Sequence, residues 1–172
     1  TQFENVGPGA DDSFDSYGLC LGVNGGFGPV VIGGEFTWGR NLGGANYVGA
    51  GNWGPTAYDS NADGFADTIE DTEGYAWWFH IGFKIGPATP YLIVGNNSTD
   101  NDGNAAVAND ALEFDIDQWM YGISVPISVA KGFTIRPEFM YYDFDSDAKV
   151  GGVNGVDRGD QWFLGVQWML VF

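Results

Sequence analysis

Seven stretches of this chain alternate large apolar side chains with small or polar ones, the period-two pattern of a strand with one face in an apolar medium. The last is the plainest. From Trp162 to Phe172 every second residue is large and apolar (Trp162, Leu164, Val166, Trp168, Leu170, Phe172), while the intervening set opens with Phe163, Gly165 and Gln167. The first run, about 14–23, sets Tyr17, Leu19, Leu21 and Val23 against Ser16, Gly18, Cys20 and Gly22. The second, about 30–40, sets Val30, Ile32, Phe36 and Trp38 against Val31, Gly33, Glu35 and Thr37. The third, about 75–85, sets Tyr75, Trp77, Phe79, Ile81, Phe83 and Ile85 against Ala76, Trp78, His80, Gly82 and Lys84. The fourth, about 89–96, is short and open in register. The fifth, about 115–129, carries Trp119, Tyr121, Ile123, Val125, Ile127 and Val129 on one face. The sixth, about 133–144, sets Phe133, Ile135, Phe139 and Tyr141 against Thr134, Arg136, Glu138 and Met140.

Connections fall into two classes. Gly25–Pro29, Gly86–Ala88 and Ala130–Gly132 are tight turns, whereas segments 41–74, 97–114 and 145–160 are long, acidic and rich in Gly, Asn and Asp. Strands of roughly 9–11 residues joined alternately by short turns and long loops are the plan of a transmembrane β-barrel. Rings sort by level in the same way. Trp38, Tyr75, Trp77, Trp119, Tyr121, Tyr141 and Trp162 adjoin long loops, while Phe27, Phe133 and Phe172 adjoin short turns or the terminus. Two aromatic girdles are expected. In a soluble barrel the aromatic face would instead be core, but four to six bulky side chains per strand overfill a small barrel's interior. The expected fold class is therefore all-β: a transmembrane antiparallel up-and-down barrel, with seven to eight strands in this chain.

Composition agrees. The 172 residues suit one domain and include seven Trp, eight Tyr, thirteen Phe and 28 Gly. No uninterrupted apolar run approaches the roughly 20 residues of a membrane helix. The formal charge of −17, from 23 acidic and six basic residues, leaves no basic footprint for nucleic acid. The lone Cys20 cannot form an intrachain disulfide, and no secretory signal opens the chain, so it is a mature protein or a fragment.

The terminal run ending on Phe172 resembles the last strand of bacterial outer-membrane barrels, in which a final Phe belongs to the assembly signal. The Gly-rich strands, acidic loops and closing Gly-Val-Gln-Trp-Met-Leu-Val-Phe172 are similar to the carboxy-terminal halves of bacterial general porins. That resemblance implies an outer-membrane location, contact with lipid and lipopolysaccharide, recognition of Phe172 by barrel-assembly machinery, and the option of a homo-oligomer. Seven strands put residue 1 outside if the carboxy-terminus is periplasmic, yet such barrels have even strand numbers. Either Gln2–Val6 is a stunted first strand, making eight, or residues 1–172 are the carboxy-terminal part of a larger barrel. Six residues before Gly7-Pro-Gly are short for a span, which favours the larger barrel.

One local motif is sharp. Asp59-Ser-Asn61-Ala-Asp63-Gly64-Phe65-Ala-Asp67-Thr-Ile-Glu70 matches D-x-[DN]-x-[DN]-G-x5-E at every defined position. Asp59, Asn61 and Asp63 offer side-chain oxygens, Phe65 a carbonyl, Asp67 a direct or water-mediated contact and Glu70 a bidentate carboxylate, with Gly64 permitting the bend. It resembles an EF-hand-type calcium loop without the flanking helices, and it implies calcium as a loop-bound cofactor. The bland alternative is a solvated Asp/Asn-rich loop.

The inward set carries Glu35, His80, Lys84, Arg136 and Glu138. In a wide barrel these line an aqueous channel and tune ion selectivity; in a narrow one they pair and plug it. Barrel hydrolases and proteases need a histidine with a nucleophile or acidic partner. The single histidine, His80, sits mid-strand and inward, so no enzyme is expected. The expected function is a porin-like channel for passive diffusion of small hydrophilic solutes or ions. The alternative is a closed eight-stranded barrel with a structural or adhesive role.

Overall fold

The computed structural model describes residues 15–42, 56–58, 68–101, 114–146 and 159–171. Its long strands are β1 (Tyr17–Phe27), β2 (Val30–Arg40), β5 (Glu73–Phe83), β6 (Tyr91–Asn101), β7 (Phe114–Ser124), β9 (Phe133–Ser146) and β10 (Gly159–Leu170). Shorter ones are β3 (Thr56–Tyr58), β4 (Thr68–Glu70) and β8 (Ile127–Ala130). Every neighbour in the order β1-β2-β5-β6-β7-β9-β10 is antiparallel, with β8 continuing beside β9. The result is an up-and-down sheet curled into a half-barrel.

Turn chemistry explains the hairpins. Gly28-Pro29 and Gly86-Pro87 are two-residue turns, and Gly28 and Gly86 have φ of 57° and 58°. A two-residue turn with a positive φ at its first position matches strand twist, and only glycine adopts it without strain; proline then supplies the fixed negative φ. At Lys131-Gly132 the positive φ, 77°, falls on the second position.

Register shows tilt. Followed across hydrogen-bonded partners, the Gly86-Pro87 turn lies about two residues beyond the Gly28-Pro29 turn, and Lys131-Gly132 about two beyond that. Two residues per hairpin is one per strand. With ~3.3 Å per residue along a strand and ~4.8 Å between strands, the strands lean by about 35°, the low end of the range for closed barrels.

The sheet is inside-out relative to a water-soluble core. Leu19, Leu21, Phe36, Trp38, Phe79, Leu92, Tyr121, Ile123, Phe139, Trp162 and Leu164 share the convex face, and all are exposed. Among the described residues only Ala76 and Met140 form a buried hydrophobic core. The concave face is built largely of Gly, Ala, Ser, Thr and amide side chains. The alternation expected for the first, second, third, sixth and seventh runs is found, and the third run places Trp77, Phe79 and Ile81 opposite in face to His80.

Boundaries differ in ways local pattern could not supply. The fifth run divides at Val125-Pro126. The Val125 N–H donates to the Pro137 carbonyl of β9, but Pro137 has no N–H to return, and Pro126 has none to offer Thr89 on its other side. A register shift between Ser128 and Ala130 follows. The fourth run reaches Asn101, so its outward set begins with Leu92 and Val94 and ends with Asn96, Ser98 and Asp100. Segments expected as loops at 97–114 and 145–160 shrink accordingly, since β6, β7, β9 and β10 climb past the apolar band. Within 41–74 the hairpin of β3 and β4 is also new.

A polar knot closes the base of that excursion. Arg40 Nη1 donates to Asp71 Oδ2 at 2.9 Å and its Nε to Glu73 Oε1 at 3.0 Å. Asn41, at φ 56°, donates from Nδ2 to the Asp15 carbonyl, and its Oδ1 accepts from the Thr72 N–H at 2.9 Å.

Candidate functional site: the concave wall

Glu35, His80, Arg136 and Glu138 all stand on the concave face, and Lys84 follows β5 in the same parity at the turn end. Height along the wall is read from the short turns, which form one rim. Glu35 lies six residues beyond Pro29, His80 six before Gly86, and Glu138 six beyond Gly132. These three therefore share one level, halfway up strands of 11 to 14 residues. Arg136 is one inward step nearer the rim, and Lys84 is near the rim itself. Among the described residues no ion pair joins these five to one another; the salt bridges belong to Arg40.

Glycines opposite large side chains shape this wall. Gly33 pairs with His80, and a Cβ at Gly33 would come within 2.8 Å of the imidazole. Tyr91 lies over Gly82 and Met140 over Gly122 in the same manner. His80 is held between rings, with centroids 5.5 Å from Trp78 and 4.9 Å from Tyr91 in an edge-to-face pair. Small-against-large packing is how an inner barrel wall accommodates its side chains.

Above the charged level a groove of about 250 Å³ opens, lined by Glu35, Thr37, Trp78, Asn97, Gln118 and Tyr142 among others. It spans β2 to β9 because Glu35, Trp78, Gly95, Met120 and Tyr142 lie on one hydrogen-bonding line across the sheet. Trp78 was legible as inward from its parity. Asn97, Gln118 and Tyr142 were missed as lining residues: Asn97 falls in a segment that reads as loop, and cross-strand alignment is invisible to a one-dimensional pattern.

Rings on the convex face cluster toward the long-loop end. Tyr17 and Trp38 are 5.6 Å apart, Trp77 and Trp119 meet edge-to-face at 5.8 Å, and Trp119 stacks on Tyr121 at 6.0 Å. Tyr121 continues to Tyr141 at 6.4 Å. Of the rings expected at the other level, Phe27 and Phe133 flank short turns, and Phe172 lies outside the described residues.

Of the calcium set, Asp59, Asn61, Asp63, Phe65 and Asp67 lie outside the described residues, as does Gln2–Val6. Glu70 is in β4 opposite Thr56, and Tyr58 opposite Thr68. Among the described residues, no group of three or more His, Cys, Asp and Glu is placed to hold a metal ion. No protein-family model, curated protein or solved structure matches this chain.

Proposed function

We propose that this chain forms wall of a bacterial outer-membrane channel through which small hydrophilic solutes and ions diffuse passively. The observation that carries the reading is the inversion of the sheet: a convex face exposing Leu21, Leu92, Ile123, Phe139 and Leu164 over seven long strands, and a concave face of small and polar residues. An exposed apolar surface of that extent is untenable in water and is what a bilayer covers. Convex rings toward one end suit a membrane interface. The strand tilt suits a barrel.

In this reading Glu35, His80, Glu138 and Arg136 line the passage, and Phe172 serves as the assembly signal. The outer band meets lipid and lipopolysaccharide, and the segment Asp59–Glu70 binds one calcium ion outside the membrane. Homo-oligomers are compatible with it. Lys84 lies near the rim of the same passage. The two carboxylates at one level and the chain's net charge of −17 favour cations in transit, against the opposing charges of Arg136 and Lys84.

A second reading has its own support. His80 over Gly33, Tyr91 over Gly82 and Met140 over Gly122 are the packing of a filled interior, as in a closed eight-stranded barrel with a structural or adhesive role. Planar-bilayer recording separates the two. A channel gives stable conductance with cation preference, and Glu35→Gln with Glu138→Gln moves the reversal potential toward zero. A folded, membrane-inserted protein without conductance rejects the channel and leaves the filled barrel.

A further inference from the structure

We infer that the groove above the charged level is a binding site for a neutral monosaccharide-sized polyol. The inference rests on the concave face being a solute-accessible lumen, and it names the class of solute that lingers there.

The floor comes first. Gly95 sits at the centre of the line from Glu35 to Tyr142, and a Cβ there would lie 2.9 Å from the Trp77 carbonyl and 3.0 Å from Met120 Cε. Ala76 is the other small floor residue. The hollow therefore exists because these two positions carry almost no side chain. Its volume, about 250 Å³, is below the roughly 300–1,000 Å³ of sites for drug-sized ligands. That sets the scale at one sugar ring.

The lining then sets the chemistry. Trp78 is 37% exposed and adjoins the hollow, offering an indole surface with the negative quadrupole typical of aromatic faces. The weakly positive C–H face of a pyranose is a complement to it. Around it stand Asn97 and Gln118, whose amides both donate and accept, and Thr37 and Tyr142, whose hydroxyls do likewise. A vicinal diol needs partners of that dual kind at each hydroxyl. Glu35 adds one acceptor-only group. With five neutral amide or hydroxyl residues, Asn96 included, to one carboxylate, and no Lys or Arg in the lining, anions are disfavoured. An organic cation over Trp78 is the competing ligand, since cations are also drawn to an indole face. It would use Glu35 and Trp78 and leave the amides without a role.

The test is saturation-transfer NMR on the full chain folded in detergent micelles, with glucose and choline as separate probes. Glucose should receive saturation from the protein, and the signal should fall at least fivefold in Trp78→Ala. Trp78→Phe, which keeps an aromatic face, should retain most of it, and Gln118→Ala should weaken it without touching the ring. Heat-modifiable migration checks that each variant is folded. No transfer to glucose, equal transfer in Trp78→Ala, or choline displacing glucose would overturn the assignment. Conductance is scored separately: a conducting protein that ignores glucose loses this site and keeps the channel, whereas a glucose-binding protein that never conducts loses the channel.

Discussion

Gly33 and His80 face each other across β2 and β5, and the imidazole of His80 occupies the space that a side chain at Gly33 would need. The absence of a Cβ at Gly33 thus makes room for the His80 ring. Trp78 and Tyr91 hold the ring from both sides, so it cannot move aside freely. Gly33→Ala should therefore destabilise the folded barrel by roughly 1–3 kcal/mol, the usual cost of overpacking. Adding His80→Ala should recover most of that loss. Denaturant unfolding of both single variants and the double variant reads the coupling; strictly additive effects would refute the contact.

Ile81 lies on the convex face between Ile32 and Leu92, on the opposite face of β5 from His80. In a bilayer Ile81→Arg should cost roughly 2–4 kcal/mol near the midplane, while a charge at a lumen position is tolerated. His80→Arg is the paired control. Folding titrations in lipid vesicles check it, and the membrane assignment fails if the two variants reverse in order.

β1 and β10 both run from the long-loop end toward the short-turn end, and both are edges of the sheet. Pairing them directly would be parallel. A second copy in the same membrane orientation presents the same mismatch, so an all-antiparallel closure takes an odd number of further strands between the edges. Cys20 provides a reporter, being the sole cysteine and exposed on the concave side of β1. Cysteines introduced singly at Gly165 or Gln167 of β10 should form no disulfide with Cys20 inside one molecule, since bridging needs Cα atoms within about 7 Å. Efficient oxidation to a cyclised form on a reducing-versus-nonreducing gel would establish direct closure instead.

Calcium should bind the segment Asp59–Glu70 once. Asp59, Asp63, Asp67 and Glu70 put four carboxylates into twelve residues, a charge density that one shared divalent cation would offset. Glu70→Gln should weaken binding more than Asp67→Asn, because a bidentate ligand is lost instead of an often water-mediated one. Calorimetry decides: equal uptake by both variants and the parent, or uptake by none, sinks the loop.

Much of this protein was legible in its sequence. Period-two alternation is a local property of a strand, and the mismatch between Trp77-Phe79-Ile81 and Ala76-Trp78-His80 survives any arrangement of neighbours. Gly-Pro turns are equally local, since φ is decided within two residues. Those features determined the long strands other than the fourth's register, and put Glu35, His80, Arg136 and Glu138 on the face opposite the aromatic one. Three things needed the tertiary structure. The fifth run breaks only because two prolines meet its ladders: Pro137 of β9 has no N–H to return to Val125, and Pro126 has none to offer Thr89 on its other side. The fourth run took its register from β5 and β7, as its own residues are apolar on both faces near Tyr91 and polar on both near Asn97. The groove exists only where Glu35, Trp78, Gly95, Met120 and Tyr142 align across five strands, and that alignment is set by the stagger of about one residue per strand. A sequence carries each strand's pattern; the offset between strands belongs to their pairing.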